Sequence, residues 1–553
     1  MFPAKQEDDE AGKLGARIRL YHLCSRMHRV RQAVQVALLL LLTAHAFAET
    51  AKTSHKKPDD EKRLSRAIEQ ILSEPDVARG FWGVDVVALD SGQRLFGLNE
   101  NRLFTPASNT KLFTTAAAFG LIGPEFRFNT TVESMGALDK YGRLNSDLII
   151  VGRGDPNLSG RTLPYYLHTE RKTPPIQALI DLADQLVQKG LKYVDGDVVA
   201  DDSYYVFERY GEGWSQDDLA WEWGAPVSAL TINDNVLFVN ILPADRPGEK
   251  AFLSVTPFPE YYRIENRVTT TPQGTGPRKV FINREPGSNQ VTIWGNIPVD
   301  DPGEGEALAI EDPAEFTAKL FSNLLEQRGV TVYGRPRTRH TELASMQTFS
   351  VTTIASGGGN ENSAHSVPKP MVLANHESMP LSDDLRVVNK VSQNLHAELA
   401  LRLLGKEKGT SGSIQGGLEV MRGFLTSVGI QPDQFVFYDG SGLSRENLVT
   451  PAAVVRLLQY AKLQPWGPMF EDTLPVSGVD GSLADRLKTA PYKGAVHAKT
   501  GSLNHVNSLS GYATTTAGRT VAFSILCNNH NLPNKKAVDT IDRIVEKIVS
   551  GGT

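Results

Sequence analysis

Only two of the 553 residues are cysteine. Cys24 precedes a segment expected to be removed, so the mature chain keeps Cys527 alone and cannot form an internal disulfide. The N-terminal apolar run is too short for an ordinary membrane span and no later stretch is long enough for one, which leaves at most peripheral membrane contact. A formal charge of −5 offers no general attraction to nucleic acid. There is no Walker loop, and the twelve histidines show no zinc-like spacing, so no cofactor or metal is expected. With 40% hydrophobic and 22% charged residues, what remains is ordinary globular material sized for about three or four domains.

The N-terminus sets the compartment. Residues 33–46 hold an uninterrupted leucine run behind Arg29 and Arg31, and Ala46-Phe47-Ala48 is a small-x-small cleavage pattern. Residues 1–48 are therefore an N-terminal extension and signal peptide cut after Ala48. The acidic stretch Glu7-Asp8-Asp9-Glu10 does not suit such a signal, and Met27 is the expected true start. The processed protein is expected to be periplasmic or otherwise extracytoplasmic.

Three short patterns then occur in the order a serine acyl-transfer site needs: Ser108-Asn109-Thr110-Lys111, Ser392-Gln393-Asn394 and Lys499-Thr500-Gly501. A chain of this length holds roughly two SxxK patterns by chance, and Ser54 to Lys57 is a rival in a polar stretch. Ser108 instead follows Thr105-Pro106-Ala107 and opens the alanine-rich run 111–120, which reads as the start of a buried helix. Lys111, three residues on, shares a helix face with Ser108. Burial and nearby cations could tune its amine to roughly pKa 7–8, where it can act as a base. The bland alternative is an N-terminal serine and a surface lysine.

Ser392 and Asn394 lie in a largely helical segment, where Ser392 could relay a proton to or from Lys111 and Asn394 could fix a substrate amide. Residues 494–502, 506–514 and 519–527 are β-rich, with 515–518 as a turn, and read as an antiparallel meander. On an exposed edge of that meander, Lys499 would offer charge to a carboxylate, and Gly501 would let a substrate backbone lie close. Backbone N–H groups of Ser108 and Ser502 would form an oxyanion hole. His396 and His497 flank these motifs and are expected to pack or hydrogen-bond rather than catalyse.

With these motifs, and with Gly154-Asp155-Pro156-Asn157-Leu158, Ala225 to Leu230, Asn233 to Asn235, Asp439-Gly440-Ser441-Gly442-Leu443-Ser444-Arg445 and Leu474 to Leu483, the chain resembles the penicillin-recognising serine D,D-peptidases of low-molecular-mass class C, peptidase family S13. The resemblance implies an α/β (α+β) fold whose core is an antiparallel sheet flanked by helices. It implies that Ser108 attacks the bond between two terminal D-alanines of a peptidoglycan stem peptide, or a D-amino-acid crosslink, through an acyl-enzyme. Lys111 would be the base, Ser392 and Lys499 would assist proton transfer, and Asn394 and Thr500, beside Gly501 and Ser502, would orient substrate. Penicillin and other β-lactams would acylate Ser108. The alternatives are a β-lactamase, although no Glu-x-x-Leu-Asn arrangement is present, and a catalytically silent wall-binding protein.

The long interval between Ser108 and Ser392 implies inserted domains. Residues 49–127 and 371–553 are assigned to the catalytic core and 128–370 to the insert. Within the insert a helix, a glycine and a short strand occur twice, at 175–196 and 314–334, as paired α/β units. A small all-β module is expected at about 236–297, and the glycine-rich stretch 356–363 marks the route back to the core.

Overall fold

In a computed structural model of the chain, residues 57–161, 173–346 and 369–551 are described. The expected signal segment, the rival Ser54 and the stretch 356–363 lie outside them. The chain divides into a unit Met1–Arg63, described only for the first turns of the helix Lys57–Leu72, and a unit Leu64–Thr553.

One part of the second unit is built on a five-stranded antiparallel sheet, in the order Val496–Leu503, Val506–Thr514, Thr520–Asn528, Phe81–Ala88, Arg94–Leu98. The last three strands of the chain thus pair with the first two, Phe81 standing opposite Asn528. Val506–Thr514 and Thr520–Asn528 are buried along nearly their whole length, because both faces are covered, and so they lack the alternation of a half-exposed strand. One face packs under Ile541, Ile544, Val545 and Ile548, the apolar stripe of the C-terminal helix Asn534–Ser550. Gly551, at φ 67°, ends that helix in the left-handed conformation.

Pro451–Lys462 lies against the other face; Thr110–Leu121 packs on it, and Asn394–Lys408 and Ile414–Ser427 pack on Thr110–Leu121 in the same core. Thr110–Leu121 is buried on all sides from Thr110 to Phe119, which is why its sequence is apolar and small-residue-rich rather than amphipathic.

The segment between the motifs carries its own sheet, ordered Pro336–Thr341, Val198–Val206, Leu148–Val151, Asn129–Ser134, Met371–Glu377. The repeated units meet in space: Tyr193–Val194 pairs parallel with Thr331–Val332, and Val198–Val206 pairs parallel with Pro336–Thr341. Their helices are Gln177–Gln188 and Pro313–Gln327, the second capped by Asp312, which accepts from the Glu315 N–H. Two expected boundaries shift. Met371–Glu377, assigned to the core, pairs antiparallel with Asn129–Ser134 of the insert. The β module extends beyond 297, because Glu304–Ala309 pairs with Val236–Leu242; its Glu-Gly-Glu-Ala-Leu-Ala sequence lacks the β-branched residues that mark strands.

Candidate active site

Ser108 sits on a single 3-10 turn, Ala107–Asn109, directly before the helix Thr110–Leu121. Ala107 holds φ 49°, a left-handed conformation that a residue with a side chain adopts only when its surroundings impose it. Three contacts do so: Ser508 Oγ donates to the Pro106 carbonyl at 2.8 Å, Asn109 Nδ2 donates to the Lys499 carbonyl at 3.0 Å, and Thr110 Oγ1 donates to the Ala107 carbonyl at 3.0 Å. The turn carrying the hydroxyl is thereby fastened to the edge strand of the sheet.

Lys111 Nζ lies 2.9 Å from Ser108 Oγ, 2.6 Å from Asn394 Oδ1 and 2.6 Å from the Ser441 carbonyl oxygen. Its side chain is wholly buried. Burial drives its pKa down to about 7, against the opposing pull of the Asp439 and Glu398 carboxylates. An amine so placed is substantially unprotonated at neutral pH and within reach of the serine proton.

Ser392 and Asn394 come from the break between two helices, Leu381–Lys390 and Asn394–Lys408. The expected continuous helical segment is interrupted here. Ser392 takes φ 62° at this break; Asn394 lines the cleft over Ser108, whereas Ser392 lines a smaller pocket that it shares with Asn394 and Trp223. Ser392 Oγ is hydrogen-bonded to Lys499 Nζ at 2.8 Å rather than to Lys111. Asn394 bridges Lys111 to the insert, its Nδ2 donating to the Trp223 carbonyl at 2.8 Å.

Lys499 departs from expectation in a second way. It lies on the edge strand, yet its side chain is completely buried, donating also to the Thr500 carbonyl. Burial first, and then the charge of Lys111, hold its pKa well below the ordinary lysine value. Its amine turns to the Ser392 hydroxyl and the Thr500 carbonyl rather than to solvent, and just before it the strand edge is itself covered: Val476 bridges to His497, and the Ala498 N–H donates to the Pro475 carbonyl. Thr500 Oγ1 pairs with Ser482 Oγ at 2.7 Å.

Beyond that cover the edge is open. Leu503 and Val506 flank a two-residue turn and form the hydrogen-bonded pair, so Ser502, opposite Asn507, directs its N–H away from the sheet. That N–H and the Ser108 N–H are the candidate oxyanion donors. Gly501 serves this junction differently from the expected approach of substrate: a β-carbon there would lie 2.2 Å from Ser508 Oγ and 2.8 Å from the Pro106 oxygen.

Sequence reasoning missed what lies beneath Lys111. The Asp439 carboxylate accepts from the N–H groups of Gly442 and Ser444, from Asn447 Nδ2 and from Trp214 Nε1. Glu398 Oε1 accepts from the N–H groups of Gly440 and Ser441. This folds the glycine-rich stretch so that the Ser441 carbonyl meets Lys111. The pairing of glycine and carboxylate was visible in sequence, but not its target. His396 packs between Asp384 and Asp234, 2.6 and 3.4 Å away; burial works against its charge, but the two carboxylates prevail and raise its pKa to about 9.

A cleft of about 700 Å³ opens over Ser108, bounded by Asn394, Ser502, Trp223 and Arg445. A helix-flanked antiparallel sheet, with a serine and a lysine one turn apart at a buried helix start beside its edge strand, defines the penicillin-recognising serine hydrolases. The D-Ala-D-Ala carboxypeptidase 3 (S13) family matches residues 64–353 and 359–548. The chain is 33% identical over 490 residues to a D-alanyl-D-alanine carboxypeptidase of Actinomadura sp. (strain R39), covering 86% of this chain and 82% of that one. It is 26% identical over 447 residues to the D-alanyl-D-alanine carboxypeptidase DacB of Haemophilus influenzae, with 80% and 84% covered. The crystal structure of penicillin binding protein 4 from Haemophilus influenzae shares the fold, with a TM-score of 0.70 at 24% identity over 87% of this chain and 98% of that one. The chain belongs to the S13 family of D-Ala-D-Ala carboxypeptidases.

Proposed function

We propose that this carboxypeptidase is a serine acyl-transfer enzyme of the cell wall, exported by its N-terminal signal and able to cleave both terminal D-alanyl-D-alanine and D-amino-acid crosslinks. Neutral Lys111 accepts the Ser108 proton as Oγ attacks the penultimate D-alanine carbonyl. The Ser108 and Ser502 N–H groups receive the oxyanion, while Asn394 holds the substrate amide. As the tetrahedral intermediate collapses, the leaving amine takes a proton, D-alanine departs, and an ester on Ser108 remains for water to hydrolyse. Ser392, backed by Lys499, completes the proton path, and the hydroxyls of Thr500 and Ser482 meet the substrate carboxylate.

One observation carries this reading: a buried amine with pKa about 7 stands 2.9 Å from the serine oxygen. Release of D-alanine from a D-alanyl-D-alanine pentapeptide, with intact mass before and after benzylpenicillin, tests it. Wild type should release D-alanine and gain one lasting adduct, and Ser108→Ala should do neither. Equal behaviour of the two would favour a silent binder; rapid drug hydrolysis without an adduct would favour a β-lactamase.

A further inference from the structure

The three-stranded sheet Arg263–Thr271, Gln290–Pro298, Lys279–Asn283 has two unlike faces. The inner face, carrying Val268, Val291, Ile293 and Ile297, is buried in the insert core. The outer face has no covering element among the described residues, yet its centre is aromatic. Phe281 and Trp294 stand directly opposite each other across the strands, stacked with ring centroids 5.6 Å apart and planes 25° from parallel. They are 53% and 39% exposed. Arg267 continues the same row on the third strand, its guanidinium held by both oxygens of Glu265 at 2.7 and 2.8 Å. The next row, also outward, is Thr269, Asn296 and Lys279.

We propose that this face is a binding platform for the glycan strand of the cell wall, an N-acetylated β-linked sugar chain. A β-linked pyranose presents an apolar face of axial C–H groups that stacks on an aromatic ring, and polar edges that need hydrogen bonds close by. This sheet offers both: two exposed aromatic rings packed together at the centre, with amide, hydroxyl and guanidinium groups beside them. A protein partner suits it poorly. Two aromatic side chains bury roughly 150–250 Å² each, whereas a stable protein interface needs about 800 Å² per partner. The cation of Lys279 complements the carboxylates that stem peptides add along such a strand. The choice of polymer rests on the wall-peptidase reading. The platform would keep the enzyme on its insoluble substrate while the cleft works on successive stem peptides.

The test uses the full processed chain and glycan strands stripped of peptide by an amidase. Titration calorimetry should show binding by wild type, at least tenfold weakening in Trp294→Ala, and recovery in Trp294→Phe. D-Alanine release from intact wall material should fall several-fold in Trp294→Ala, while hydrolysis of a soluble pentapeptide stays as in wild type. The proposal is overturned if wild type does not bind the stripped strands, or if a Phe281→Ala/Trp294→Ala chain binds them equally well. It is also overturned if that double variant changes only self-association in ultracentrifugation. Pentapeptide hydrolysis is a separate readout: its absence in wild type would sink the peptidase reading, and the stripped strands, which hold no peptide, would still decide the platform.

Discussion

A β-carbon built on Gly501 would stand 3.0 Å from the backbone nitrogen of Ser108. The edge strand and the turn bearing the nucleophile are thus in backbone contact, and the missing side chain of one keeps open the oxyanion donor of the other.

Gly501→Ala should therefore fold and yet acylate poorly. Relief of the clash must push the strand away from Pro106 and Ser108, separating the two candidate N–H donors. Loss of one such donor costs about 3–4 kcal/mol in transition-state stabilisation, so acylation by a fluorescent penicillin should slow by roughly 10²–10³-fold, alongside a stability loss of about 1–3 kcal/mol from the overpacking. Wild-type kinetics in this variant would sink the assignment of the Ser108 and Ser502 N–H groups.

Lys111 sets a pH limb. With its pKa at about 7, kcat/KM should rise with pH through that value as the amine becomes a base. Lys111→Arg stays charged and should lose roughly 10²–10⁴-fold in rate. The same shift affects stability. Between pH about 7 and the ordinary lysine value of 10.5 the unfolded chain binds a proton that the folded chain does not, so this group makes stability rise with pH across that window. Lys111→Met should lose that slope, which melting temperatures of the two proteins across the window would reveal.

Lys499 and Ser392 should act as one unit. Their 2.8 Å contact joins two side chains from segments 107 residues apart, and the depressed pKa of Lys499 means that it need not hold a permanent charge. Ser392→Ala and Lys499→Met should each slow acylation by about 10²-fold, and the double variant should be little worse than the worse single one, a coupling of roughly 0.5–3 kcal/mol in a double-mutant cycle. Effects that simply multiply would show that the two work independently.

What was legible in the sequence follows the range of the interactions. Ser108 and Lys111 were readable because a helix start alone places them together. The meander was readable because each strand pairs with its neighbour in the chain. The burial of Lys499 was not, because its amine is met by Ser392 from a segment 107 residues away, and nothing in the local sequence of the strand announces that contact. The change of partner for Ser392 followed from the same cause, since a buried amine needs acceptors near it. The Ser441 carbonyl, 330 residues from Lys111, had only a glycine-rich turn to announce it.

That turn yields the sharpest separation of structure from electrostatics. Asp439 is fully buried and gathers four donors besides the Ser441 hydroxyl, so Asp439→Ala should orphan several of them and cost about 2–4 kcal/mol of stability. Its carboxylate also favours the ammonium form of Lys111, opposing the effect of burial. Asp439→Asn keeps the shape and one acceptor while removing the charge, so the acid limb of kcat/KM should move below pH 7 even as the loss of ordered donors lowers kcat. A purely structural Asp439 would lower the rate and the melting temperature without moving the limb, and a pH–rate profile of Asp439→Asn beside wild type distinguishes the two.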